Sequence, residues 1–202
     1  MSLLDLAAGE LLERFASTDP TPGGGSAAAL SGATAAALVA MVCGMPKTRT
    51  GSAEERARLD TGLGWAREAR GRLERLVDED SAAYDAVMAA YRLPKQTDPE
   101  KASRKEAIAV ALARASEVPI RTAEACLVVL RAATEAAAHG NPNALSDART
   151  GAAMAWAGLI GAAENVRVNA ASQGEAGRAF LEKAEALAHE GRAQALAAGI
   201  PL

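Results

Sequence analysis

Aromatic side chains are scarce: two Trp, two Tyr and two Phe make up 3% of 202 residues. Half of the residues are nevertheless hydrophobic. The core must therefore be built from Ala, Leu, Val and Met, with helices packed close together. Cysteine is limited to Cys43 and Cys126, both in apolar helical sequence. That excludes a disulfide framework and suits small core residues in a reducing cytoplasm. The two histidines, His139 and His189, are far apart and have no Cys or His cluster beside them. Nothing here has the ligand spacing of a transition-metal site. The net charge of −3 argues against nucleic acid as the main partner. No run of about 18 apolar residues escapes polar or glycine interruption, so no membrane span is expected. Met1-Ser2-Leu3-Leu4-Asp5 lacks the basic flank of a signal peptide, so a cytoplasmic protein is expected. No segment alternates with period two for long enough to make a strand, and there is no repeat or long linker. These absences leave one all-α domain over residues 1–202, an antiparallel bundle of five to six helices, some long and kinked.

The richest stretch is Pro20-Thr21-Pro22-Gly23-Gly24-Gly25-Ser26, running into an alanine-rich helix. Prolines stiffen its approach, and glycines allow positive φ and close backbone contact. Ser26 is placed to cap a helix from about Ser26 to Gly44. A helix N-terminus with bare amides attracts negative charge. Pro22, Gly23, Gly24, Gly25 and Ser26 are therefore candidate ligand-binding residues, against a plain tight loop that lets two helices pack.

Leu3, Leu4, Leu11, Leu12 and Phe15 form a short first helix. Lys47-Thr48-Arg49 begins a basic loop after Pro46. Ser52 with Glu55 fits a capping box opening a helix from about Ala53 to Tyr91. Asp80, Tyr84, Met88, Tyr91 and Lys95 fall on one stripe at its end, with Lys95 just past Pro94. Thr97 or Asp98 caps the next helix, with Pro99 at its first position. That helix reaches about Ala138, with Pro119 expected to kink or split it. Gly140 ends it, and Asn141-Pro142-Asn143 makes a turn. Ser146 caps a helix from Asp147 to about Ser172, and a last helix covers 175–198.

Three stretches in this order and spacing resemble the formiminotransferase-cyclodeaminase C-terminal domain family. They are the Pro20–Ser26 loop, the block from Asp80 through Tyr84-Asp85-Ala86-Val87-Met88 to Tyr91-Arg92-Leu93-Pro94-Lys95, and Gly140-Asn141-Pro142-Asn143 with Ser146-Asp147-Ala148 leading to Asn165-Val166-Arg167-Val168-Asn169. The family includes stand-alone methenyltetrahydrofolate cyclohydrolases. The resemblance implies an all-α homodimer acting on a tetrahydrofolate derivative, with no cofactor and no metal. One departure is Arg149, where the family commonly has glycine; it either alters ligand contacts or points to solvent.

In a cyclohydrolase, water attacks the amidinium carbon held between N5 and N10, and the ring opens to a formyl group. In a cyclodeaminase, N10 attacks a formimino carbon and ammonia leaves. Relatives of that second kind are often fused to a transferase domain, which is not among these 202 residues, so the hydrolase is the leading expectation. A non-catalytic folate-binding or subunit-interaction protein is the third reading. A carboxylate suits either reaction, stabilising the cation and taking a proton. Asp80 and Asp147 are the carboxylates inside the matched blocks. The alternatives are an exposed acid beside Asp78 and Glu79, and an acid favoured in a helix's first turn. Lys95 is the third catalytic candidate, held near the reacting centre or near the glutamate tail, against a plain surface lysine. Lys47 and Arg49 suit the tail carboxylates, including those of polyglutamylated folates. Tyr84 and Ser146 join the substrate-binding set. Asn141, Asn143, Asn165 and Asn169 are candidates to read the pterin, although turn chemistry also explains the first two. Asp147 and Asn165 lie about 27 Å apart along one helix. Either one group is structural or the site draws on both subunits of a dimer; the second is the expectation.

Overall fold

The computed structural model describes residues 2–202. A 3-10 turn at Leu3–Asp5 precedes α1 (Ala8–Ala16), α2 (Gly24–Gly44), α3 (Ala53–Tyr91) and α4 (Asp98–His139). A second 3-10 turn at Pro142–Ala144 leads into α5 (Leu145–Ala171) and then α6 (Glu175–Ala197). Among the described residues there are six α-helices and no strand.

Local chemistry sets the two longest helices. Ser52 Oγ accepts the Glu55 N–H at 3.2 Å and starts α3. Glu55 does not complete the box; its Oε2 accepts the Thr48 hydroxyl at 2.7 Å and the Thr50 N–H at 2.8 Å. These bonds, the Thr48 hydroxyl foremost, hold the Glu55 carboxyl down at about 2. At α4 the box is complete. Thr97 Oγ1 accepts the Glu100 N–H at 3.4 Å, and Glu100 accepts the Thr97 N–H at 2.9 Å. Thr97 is the cap, so Pro99 sits second in the helix.

The core is aliphatic and dense with alanine. Leu59, Leu73, Leu76, Leu130 and Leu159 are fully buried, each contributing about 1.5–3 kcal/mol by leaving water. Helix α2 packs against α3, α4 and α5. It runs antiparallel to α5 along small residues: a Cβ at Gly158 would stand 2.7 Å from the Ala28 carbonyl oxygen, and one at Gly151 2.8 Å from Val39 Cγ2. Glycine at Gly158 is what lets the two backbones meet.

Four further expectations are corrected. Helix α2 is long and apolar enough by length and composition to cross a membrane, with a mean hydropathy of 1.8, yet half of that window is buried in the fold. It starts at Gly24 with Gly23 as its cap residue, so Ser26 lies inside the helix and does not cap it. Helix α5 starts at Leu145 after Ala144, without a side-chain cap, so Ser146 is a first-turn residue. Pro119 does not split α4, which is continuous over 42 residues.

Candidate active site at the head of α2

The Pro-Gly loop ends against α3. The glycines 23–25 have no positive φ; what they supply is space. A Cβ at Gly25 would stand 2.0 Å from Asp80 Oδ1 and 2.4 Å from its Cγ. Asp80 thus lies on the first turn of α2, and the negative charge that this helix end attracts is the protein's own carboxylate. Ser26 is fully buried, and its Oγ lies 2.8 Å from the Val77 carbonyl oxygen and 3.2 Å from Asp80 Oδ2. Burial pushes the Asp80 carboxyl above the usual aspartate range, while the Ser26 hydroxyl and N–H pull it partway back.

Asp80 opens into a cavity of about 270 Å³. Pro20, Thr21, Gly23, Gly24 and Gly25 form one wall, and Asp80, Ala83, Tyr84 and Val87 of α3 a second. Leu112 and Ala115 of α4 and Asn165 and Asn169 of α5 close it. The two asparagines are oriented. Asn165 Nδ2 donates to the Gly161 carbonyl at 2.8 Å, and Asn169 Nδ2 to the Ala115 carbonyl at 2.6 Å. The second bond explains Pro119. Proline has no N–H, so the carbonyl four residues earlier, Ala115, loses its helical partner. The Asn169 amide supplies the missing donor. Each Nδ2 spends one of its two N–H donors on these bonds, and each Asn keeps an Oδ1 that accepts nothing from the described residues. The polar side chains of the wall are the Asp80 carboxyl, the two asparagine amides, the Thr21 hydroxyl and the half-exposed Tyr84, with no cationic group.

The candidate residues separate into two ends. Gly23, Gly24, Gly25, Asp80, Tyr84, Asn165 and Asn169 share the cavity. Pro22 lines an open groove behind the loop, with Arg14 and Asp85. Ser26 is buried behind Asp80 and cannot touch a ligand, which corrects its placement among the binding residues. Lys95 is exposed beyond the end of α3, and Tyr91, the last residue of that helix, is already about 16 Å along it from Asp80. Lys95 is not among the residues around the cavity. Near it, the Arg104 guanidinium lies 5.6 Å over the Tyr91 ring.

Lys47, Arg49, Asn141, Asn143, Ser146 and Asp147 stand at the far end of the bundle, about 30 Å away by the length of α2. Arg49 Nη2 donates to the Ala137 carbonyl at 2.8 Å, and its N–H to that of His139 at 2.9 Å. Asn141 Oδ1 accepts the Asn143 N–H at 3.1 Å, so the turn reading of this pair is what the structure shows. The Arg149 guanidinium lies against Gly199, after α6. Sequence reasoning missed the α4 wall. Leu112 and Ala115 look like ordinary core positions, and only the proline four residues after Ala115 marks that carbonyl as free.

The formiminotransferase-cyclodeaminase family matches residues 7–189. The methenyltetrahydrofolate cyclohydrolase of Methylorubrum extorquens is 44% identical over 182 residues, covering 88% of this chain and 86% of that protein. The formimidoyltransferase-cyclodeaminase of Rattus norvegicus is 33% identical over 168 residues, 83% of this chain; the match spans 31% of that longer protein. The solved structure of formiminotetrahydrofolate cyclodeaminase from Thermotoga maritima superposes with a TM-score of 0.84 at 25% identity, covering 98% of this chain and 96% of that one. With its helices, its loop and its full-length match in accord, the chain belongs to the formiminotransferase-cyclodeaminase family.

Proposed function

We propose that this protein is a methenyltetrahydrofolate cyclohydrolase, converting 5,10-methenyltetrahydrofolate to 10-formyltetrahydrofolate in cytoplasmic one-carbon metabolism. One observation carries the reading: the cavity holds the Asp80 carboxyl beside neutral polar groups and no cation, which suits a cationic amidinium ring. Similarity to the Methylorubrum cyclohydrolase supports it. Asp80 stabilises the cation and takes the proton of the attacking water. Asn165 and Asn169 accept from the fused rings, Tyr84 covers them, and the glutamate tail, single or polyglutamylated, leaves toward solvent. The substrate is the only folate required, and no metal or further cofactor takes part.

Asp147, Ser146, Asn141, Asn143, Lys47 and Arg49 serve the same reaction only if a second subunit brings its far end to this cavity. We place them there, in a homodimer of 1–202 single-domain chains, with Lys95 as a cation at the rim. Within one subunit they stand about 30 Å from Asp80, so only a partner chain could bring them to it.

A second reading is formiminotetrahydrofolate cyclodeaminase, favoured by the name of the Thermotoga neighbour. The same carboxyl would serve it. Loss of methenyl absorbance above the spontaneous rate establishes the first reading. Ammonia release from 5-formiminotetrahydrofolate without that acceleration establishes the second. Folate binding with neither activity leaves a non-catalytic protein and contradicts both.

A further inference from the structure

The Ser26 hydroxyl has one proton and three oxygen neighbours: the Val77 carbonyl at 2.8 Å, Asp80 Oδ2 at 3.2 Å and Ser81 Oγ at 3.2 Å. Ser26 is fully buried and is not among the residues lining the Asp80 cavity, so it acts on a ligand there only through Asp80. A hydroxyl donates once and accepts up to twice, whereas an ionised carboxylate only accepts. When Asp80 is ionised, Ser26 donates to Oδ2. When Asp80 is protonated, its own O–H donates to Ser26 Oγ, and the serine proton turns to the Val77 carbonyl. Ser81 can donate to Ser26 Oγ in the ionised state. Both forms of Asp80 are thus satisfied without movement of the carboxyl, which Gly25 confines.

We propose that Ser26 is a positioning residue, a hydroxyl rotor between Val77 and Asp80 that lets Asp80 gain and lose a proton in one fixed place. Its use rests on the hydrolysis proposed above. There, water oxygen bonds to the amidinium carbon and its proton passes to Asp80, giving a neutral carbinol. The carbon–N5 bond then breaks, its electron pair goes to N5, and N5 takes the proton from Asp80. The carbinol O–H gives its proton to solvent and leaves the formyl carbonyl. One water is consumed and one proton released. Asp80 is a base and then an acid in one turnover, which is what the rotor accommodates. A plain tie between α2 and α3 would use the Val77 bond alone.

The test follows the Asp80 carboxyl carbon by NMR titration in wild type and Ser26→Ala, assigned with Asp80→Asn, alongside kcat and KM across pH. The expected result in Ser26→Ala is an Asp80 midpoint raised by about one pH unit, the size of one lost bond to a charged group. The rate should fall about tenfold in kcat with KM held. An unmoved midpoint overturns the proposal, even if stability falls. Should Ser26→Ala not fold, Ser81→Ala, which removes a partner of the Ser26 hydroxyl, should shift the midpoint measurably, and no shift there overturns it equally. The titration needs no turnover. A shifted midpoint in a protein that does not hydrolyse methenyltetrahydrofolate supports the rotor and contradicts the proposed function. An unmoved midpoint in an active enzyme does the reverse.

Discussion

The space that a methyl group would fill at Gly25 is occupied by the carboxyl of Asp80, 2.0 Å from the ideal Cβ position. Backbone and carboxyl cannot both keep their places if that methyl is added. Gly25→Ala should therefore expel Asp80 while leaving α2 helical, since alanine favours a helix over glycine by about 1 kcal/mol. The expected outcome is a loss of at least about a hundredfold in kcat with unchanged helical circular dichroism. Retained activity would show that the crowding is relieved elsewhere.

Asp80 also sets a stability trend. Its carboxyl is raised by burial, so the folded state binds the proton more tightly than the unfolded state does. The stabilisation is full below the ordinary aspartate value of about 3.9 and is lost as pH rises through the raised value. Asp80→Asn removes the buried charge. It should be at least as stable as wild type to urea at neutral pH, and the advantage should vanish in acid. A variant less stable than wild type at pH 7 would contradict this.

Glu55 runs the other way. Its carboxyl is held down at about 2, first by the Thr48 hydroxyl and then by the Thr50 N–H. Its contribution is full above the ordinary glutamate value of about 4.3 and fades as pH falls toward 2. Glu55→Gln should lower the melting temperature at pH 7 and leave a smaller difference from wild type near pH 3. Melting curves at the two pH values decide it.

The shared-site arrangement predicts complementation. Asp80→Asn and Asp147→Asn homodimers should each be inactive. Mixed and re-annealed, they should recover roughly a quarter of wild-type activity, because half the dimers are hybrids and each holds one intact site. Hybrids detected by native mass spectrometry without recovered activity would place Asp147 outside the catalytic site.

Much of the fold was legible because its punctuation is local. Ser52, the Thr97-Asp98 pair, Gly140 and Gly174 mark helix ends by their own side chains or lack of one, and the helices begin and end there. Local signals mislead where a partner distant in sequence decides. Ser26 looks like a cap, but Val77 and Asp80, more than fifty residues on, draw its hydroxyl into the core. Pro119 looks like a break, but Asn169 satisfies the carbonyl it frees. Of the site, Asp80, Tyr84, Asn165 and Asn169 were legible from the motif blocks. Their convergence was not, because it depends on α2 and α5 running antiparallel at glycine distance.

Hydrolysis of methenyltetrahydrofolate at the Asp80 cavity is read from the loss of that compound's near-ultraviolet absorbance with wild type and with folded Asp80→Asn, both against the spontaneous rate in the same buffer. Wild type should accelerate the loss clearly, and the variant should fall about a hundred- to ten-thousand-fold below it. Equal acceleration by both proteins would contradict it.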